Sequence, residues 1–337
     1  MTIPMIPGTL LGKLLDRYLF RRVQPSLLDR RTPPEELAAQ RRRDLTTELR
    51  AAVGTPAPRS ADLGGELNDL RVGLAYRPAA LSSPEVVGRL YGETDPDNPA
   101  VLFVHGWLQP SYLSLSETAA LLVRRGLAVF VLELPHHLSR RPPGEAHGAR
   151  LVSGDLKLTL DSLVQATAEV SAAAAWLRNR AGGLFTMGFS LGGLIAGLHA
   201  CLAEEPPDEV VLIAPAARPA DILIRSPLAD RVRRTVFAQG VTPREIRRVL
   251  SPLDLTRLRP RTPPERVYLV AGRGDRAVPV AVLRGLRDRW GCRYEEVSGG
   301  HISLWLPLVA GEGLGFDRGL SWCRRVADFL EGRGGGA

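Results

Sequence analysis

Cysteine is scarce in this chain: Cys201, Cys292 and Cys323 are the only three in 337 residues, odd in number and far apart. Such usage supports neither a disulfide framework nor a thiolate metal site, and it fits a reducing compartment, so a cytoplasmic location is expected. Lysine is scarcer still. Only Lys13 and Lys157 occur, so the net charge of +8 comes almost wholly from arginine. Those arginines are scattered through a background of Ala, Leu, Gly and Pro, which reads as compositional bias and solvated faces, and no nucleic-acid partner is expected. No run reaches the roughly 18 uninterrupted apolar residues of a membrane span. The N-terminus lacks a basic start, a continuous apolar stretch and a small-residue cleavage site in that order, so no secretory signal is read. What the chain does have is 45% hydrophobic residues, enough for a large core in one large domain or two ordinary ones.

Along 9–22, Leu10, Leu11, Leu14, Leu15, Tyr18 and Leu19 fall at helical spacing, with Lys13, Arg17, Arg21 and Arg22 mostly between them. This predicts a basic amphipathic helix packed on the body of the domain, with a peripheral membrane contact or a partner-binding arm as the alternative. Thr32-Pro33-Pro34-Glu35 reads as a helix start and Thr55-Pro56-Ala57-Pro58 as a break, so residues 1–70 are taken as an N-terminal helical extension. From residue 71 the pattern changes. Apolar runs of buried-strand length at 101–104, 128–134, 184–187, 210–214 and 267–271 alternate with helix-compatible stretches at 115–125, 157–180 and 193–203. That alternation predicts a mostly parallel central sheet with helices on both faces, and sites in such sheets form beyond the carboxyl ends of the strands. The span 216–265 is far longer than an ordinary connection and carries helical signals, including the capping-box pattern Thr242-Pro243-Arg244-Glu245. It is expected to be a helical cap over the site, within a main domain of 71–330 followed by a flexible tail at 331–337.

Gly188-Phe189-Ser190-Leu191-Gly192 lies between an apolar run and a helix. A serine on so sharp a strand-to-helix turn needs small neighbours two residues to either side, because backbones come close there. The following helix also offers unpaired N–H groups to a developing anion. Ser190 is therefore the candidate nucleophile. Val101-Leu102-Phe103-Val104 ends in His105-Gly106-Trp107, where Gly106 permits a tight turn that can aim the Trp107 N–H at the site; with the Leu191 N–H it would form an oxyanion hole. His105 is read as structural. Asp275 directly follows the 267–271 run, and His301 follows a strand-like segment at 293–297 and the Ser298-Gly299-Gly300 turn. Serine, acid and histidine occur in the order this fold uses. Asp254 is the rival acid, but it follows no strand and suits a local cap.

His105-Gly106-Trp107, Gly188-Phe189-Ser190-Leu191-Gly192-Gly193, Gly272-Arg273-Gly274-Asp275-Arg276-Ala277-Val278-Pro279 and Gly299-Gly300-His301 resemble, in that order, the motifs of α/β-hydrolases. The resemblance covers 71–330 and implies one domain of the α/β-hydrolase fold. A shorter segment, from Glu133-Leu134-Pro135-His136-His137 to Arg140-Arg141-Pro142-Pro143-Gly144, resembles a poorly characterised hydrolase family once classed as a domain of unknown function, and it fixes no substrate.

The chemistry expected is acyl transfer to Ser190 and then to water, with His301 as base and Asp275 orienting it, and with neither metal nor organic cofactor. The substrate expected is a small-molecule or lipid carboxylic ester with a hydrophobic acyl group. The same residues would serve a thioesterase, peptidase or acyltransferase, and a binding protein that keeps the fold without turnover is the reading from another class. His136 and His137 are expected to hydrogen-bond within their loop; Arg140 and Arg141 could meet a carboxylate or phosphate.

Overall fold

The computed structural model describes residues 8–27, 29–54, 61–64, 69–73, 85–305 and 321–331. Its strands are β1 (Ala61–Gly64), β2 (Asp69–Gly73), β3 (Glu85–Tyr91), β4 (Pro99–Val104), β5 (Ala128–Leu132), β6 (Gly183–Phe189), β7 (Glu209–Ile213), β8 (Val267–Gly272) and β9 (Arg293–Val297). They form one sheet in the order β1-β2-β3-β5-β4-β6-β7-β8-β9. From β5 through β9 every pairing is parallel, and β1, β2 and β3 add an antiparallel edge.

Helices cover both faces, and β4 shows why its sequence is apolar throughout. Side chains alternate across a strand, so Ala100, Leu102 and Val104 join one buried cluster while Val101 and Phe103 join the other. The first cluster includes α5 (Leu156–Arg178) and α6 (Leu191–Leu202); the second includes α4 (Leu113–Val123) and the last described helix, α12 (Ser321–Leu330). α5 is buried on nearly every side, which explains its apolar and small-residue composition.

Three helices precede the sheet: α1 (Gly8–Val23), α2 (Pro34–Arg42) and α3 (Thr46–Val53). α2 and α3 pack on α5, so the extension is part of the folded body. Around residue 71, where the main domain was expected to begin, β1 and β2 pair in register, Ala61 opposite Val72 and Gly64 opposite Asp69. β1 and β2 mix Asp, Arg and Gly with single Leu and Val residues, so they leave no apolar run to read. Between β7 and β8 the chain forms α7 (Pro219–Arg225), α8 (Asp230–Ala238) and α9 (Pro243–Val249), the last opened by the Thr242/Glu245 capping box. α10 (Val280–Trp290) and α11 (His301–Trp305) complete the described helices. The proline break at 55–58 and the tail beyond Glu331 lie outside the described residues.

Candidate active site

Ser190 stands alone between β6 and α6, with φ 54° and ψ −113°. A non-glycine residue so placed stores on the order of 1–3 kcal/mol of strain and persists only where its surroundings impose it. They do: the Ser190 N–H donates to Ile213 O at 2.9 Å, and Ser190 O accepts from Ala216 N–H at 2.9 Å. A Cβ on Gly192 would lie 2.1 Å from Val104 O, so only glycine lets α6 start this close to β4. The turn lifts the hydroxyl to the carboxyl edge of the sheet.

There the Ser190 Oγ lies 2.8 Å from His301 Nε2, and His301 Nδ1 lies 2.7 Å from Asp275 Oδ2. Asp275 follows β8, and its Oδ1 accepts the N–H groups of Ala277 and Val278, each at 2.7 Å. A carboxylate only accepts, so Nδ1 carries the proton and Nε2 offers its lone pair to the serine hydroxyl. His301 is buried, with 2% of its surface exposed. Burial disfavours its cation, but the charge and hydrogen bond of Asp275, together with the charge of Asp16, more than offset this and raise its pKa.

Asp16 is a residue that sequence reasoning missed. It sits in α1 and is fully buried; Oδ2 accepts the His301 N–H at 2.7 Å and the Arg276 N–H at 3.2 Å, while Oδ1 accepts the Ile302 N–H at 2.9 Å. A side chain from a distant helix thus caps the first turn of α11, where the amide groups have no intrahelical acceptors. Burial raises the Asp16 pKa against the lowering effect of these backbone donors. α1 seats directly on the turn before His301: a Cβ on Gly12 would lie 2.1 Å from Gly300 N. The available sequence signal was the spacing of Gly12, Asp16 and Phe20 on one helical face, with Asp16 the only acid in α1.

The turn after β4 is held by two histidines. His105 Nε2 accepts from Leu134 N–H and its Nδ1 donates to Gly106 O, while His137 Nε2 accepts from Leu108 N–H and its Nδ1 donates to Pro135 O. Both rings must be neutral to accept. Burial agrees, pushing His105 down to about 4 and His137 well below its ordinary value. The Trp107 indole donates to Gly148 O at 2.8 Å, and the Trp107 main-chain N–H has no acceptor among the described residues. Leu191 opens α6, so its N–H belongs to the unpaired first turn.

Other candidates lie elsewhere. Arg140 is buried and pairs through both terminal nitrogens with the Glu169 carboxylate of α5, at 2.7 and 2.6 Å, so it is a packing residue. Arg141 donates to Glu145 O at the surface. Asp254 accepts from the N–H and hydroxyl of Thr256, a local cap. Among the described residues no three His, Cys, Asp or Glu side chains cluster as metal ligands.

A cavity of about 90 Å³ adjoins Ser190, Trp107 and Leu191, lined by Leu156 and Leu163 of α5 and by Ile222, Leu223, Leu228 and Val232 from the segment between β7 and β8. Its surface is almost entirely apolar, which suits a hydrocarbon chain held beside a reactive hydroxyl.

The family model described as "Alpha/beta hydrolase family" matches residues 101–312. Among solved structures, an acetyl xylan esterase from a Paenibacillus species is similar at 14% identity and TM-score 0.56, with 93% of this chain and 98% of that one covered. Acetyl xylan esterase 1 from a Thermoanaerobacterium species follows at 15% identity and TM-score 0.54, covering 90% and 99%. An esterase from Pyrococcus furiosus aligns at 16% identity and TM-score 0.50, covering 82% and 97%. At these identities the likeness concerns the fold. No curated protein matches the chain.

Proposed function

The chain belongs to the alpha/beta hydrolase family, and on that footing we propose that it cleaves carboxylic esters through an acyl-serine intermediate on Ser190. The hydrogen-bond chain from Ser190 through His301 to Asp275 is the observation that carries this reading.

The Ser190 Oγ attacks the ester carbonyl carbon as its proton passes to His301 Nε2, and Asp275 stabilises the imidazolium that forms. The oxyanion takes hydrogen bonds from the main-chain N–H groups of Trp107 and Leu191, each worth on the order of 3 kcal/mol in the transition state. Collapse breaks the carbonyl carbon to alkoxy oxygen bond, and the alcohol leaves with the proton from His301. Water then gives a proton to His301 and adds to the acyl carbon; the carboxylic acid departs and Ser190 recovers its hydrogen.

The apolar cavity beside Ser190 would take the acyl chain. At about 90 Å³ it is smaller than the ~150 Å³ that admits a benzene ring, so a short apolar acyl group fits it best. An activity-based fluorophosphonate should label the wild type at Ser190 and leave Ser190→Ala unlabelled. A folded wild type that resists the probe and turns over no ester in a series of acyl lengths would overturn the proposal.

A further inference from the structure

The outward face of α1 combines two features that rarely coincide by chance on a soluble protein. Among the described residues the exposed large apolar side chains are Leu10, Leu11, Leu14, Tyr18 and Leu113, so all but one stand on this single helix. Around them stand Lys13, Arg17, Arg21 and Arg22, all exposed, and none pairs with a carboxylate among the described residues. At 3.6 residues per turn, Leu10, Leu11, Leu14 and Tyr18 form one stripe; Lys13 and Arg17 run along one edge, Arg22 along the other, and Arg21 extends the stripe at its end. The single acid of the helix, Asp16, is turned inward and consumed by the backbone of the His301 turn.

We propose that this face docks on the surface of an anionic phospholipid bilayer. The chemistry of the face selects that occupant. A second copy of the chain would set four like charges against four, and a polyanion without hydrocarbon would leave the leucine stripe uncovered. A bilayer surface satisfies both, taking the stripe among its acyl chains and the cations among its phosphates. In sequence, residues 2–7 (Thr-Ile-Pro-Met-Ile-Pro) are uncharged and largely apolar. No helix among the described residues is long and apolar enough to cross a membrane, so the attachment proposed is peripheral. The inner edge of α1 is fixed: Gly12 lies on Gly300, and Asp16 holds the N–H groups of His301 and Ile302. The helix that would meet lipid is therefore already folded and oriented, so binding need not supply the ordering energy that an unstructured amphipathic segment requires. The proposal does not depend on the catalytic reading of Ser190.

The test is co-sedimentation of the full chain with vesicles of phosphatidylcholine, with and without phosphatidylglycerol, at low and high salt. Binding should require phosphatidylglycerol and weaken with salt. Leu10→Glu combined with Leu14→Glu should lower the partition coefficient by on the order of a hundredfold or more, because two leucines no longer leave water. Arg17→Gln combined with Arg21→Gln should lower it by roughly thirtyfold. Thermal melting reports whether each variant keeps the wild-type fold, and Leu113→Glu, at the exposed leucine off this face, should bind as the wild type does. No sedimentation with any vesicle would overturn the proposal, as would equal binding to both compositions or folded leucine variants that bind undiminished. A concentration-dependent dimer abolished by the leucine variants would assign the face to a second copy and overturn it equally.

Discussion

The carboxylate of Asp16 accepts the main-chain N–H of His301 at 2.7 Å, while Asp275 accepts the proton on the ring of the same histidine at the same distance. One acid therefore fixes where the histidine begins and the other how its ring is turned.

That pairing has a sign in pH. The combined charges of Asp275 and Asp16 raise the His301 pKa despite burial. A base must be neutral, so kcat/KM should climb through a midpoint above the ordinary histidine value of about 6.5. Asp16→Asn keeps one acceptor and removes the charge, so the midpoint should move to lower pH, with a stability loss of about 1–2 kcal/mol from the weakened cap. A pH profile of kcat/KM and a denaturant melt check both. An unmoved midpoint would leave Asp16 as a cap alone.

Asp275→Asn should lower kcat by on the order of ten-thousandfold, since the wrong tautomer then faces Ser190. Asp254→Asn should stay near wild type, because Asp254 caps the turn at Thr256 and faces Arg218, whereas the ring of His301 is held by Asp275. Steady-state rates on a soluble short-chain ester rank the two.

Arg140→Met removes the cation from the fully buried Glu169 carboxylate and leaves it the Gln165 amide as a neutral donor. It should cost about 3–5 kcal/mol, much of it recovered when Glu169→Leu is added, because the pair then leaves together. Guanidinium unfolding measures the loss. KM for the ester should be unchanged in whatever fraction remains folded, in contrast to an arginine that grips substrate.

Leu223→Ala enlarges the apolar cavity beside Ser190 from its outer wall. Preference should move toward longer acyl groups by roughly tenfold in kcat/KM, the scale of a few methylenes gained or lost. A series of esters differing only in acyl length reads this directly.

What the sequence disclosed follows how local each signal is. Ser190 was legible because strand, turn and helix are contiguous and each leaves its own pattern. Asp275 and His301 were placed by strand ends and chain order, and the segment 216–265 stood out by its length. β1 and β2 were not legible, since an edge needs no apolar run, and Gly88 interrupts the one in β3. Arg140 reads as a surface arginine until Glu169 is seen beneath it. Asp16 left even less trace: its partners lie at Arg276, His301 and Ile302, and no periodicity links positions so far apart.

The same separation bears on biosynthesis. Asp16 and His301 are 285 residues apart, and a ribosome adding roughly 5–20 residues per second needs tens of seconds to cover that interval. Throughout it, a newly made α1 has neither its capping partners nor the Gly300 turn on which Gly12 rests. Competence to hydrolyse would therefore arrive late and abruptly, when β9 and the histidine emerge.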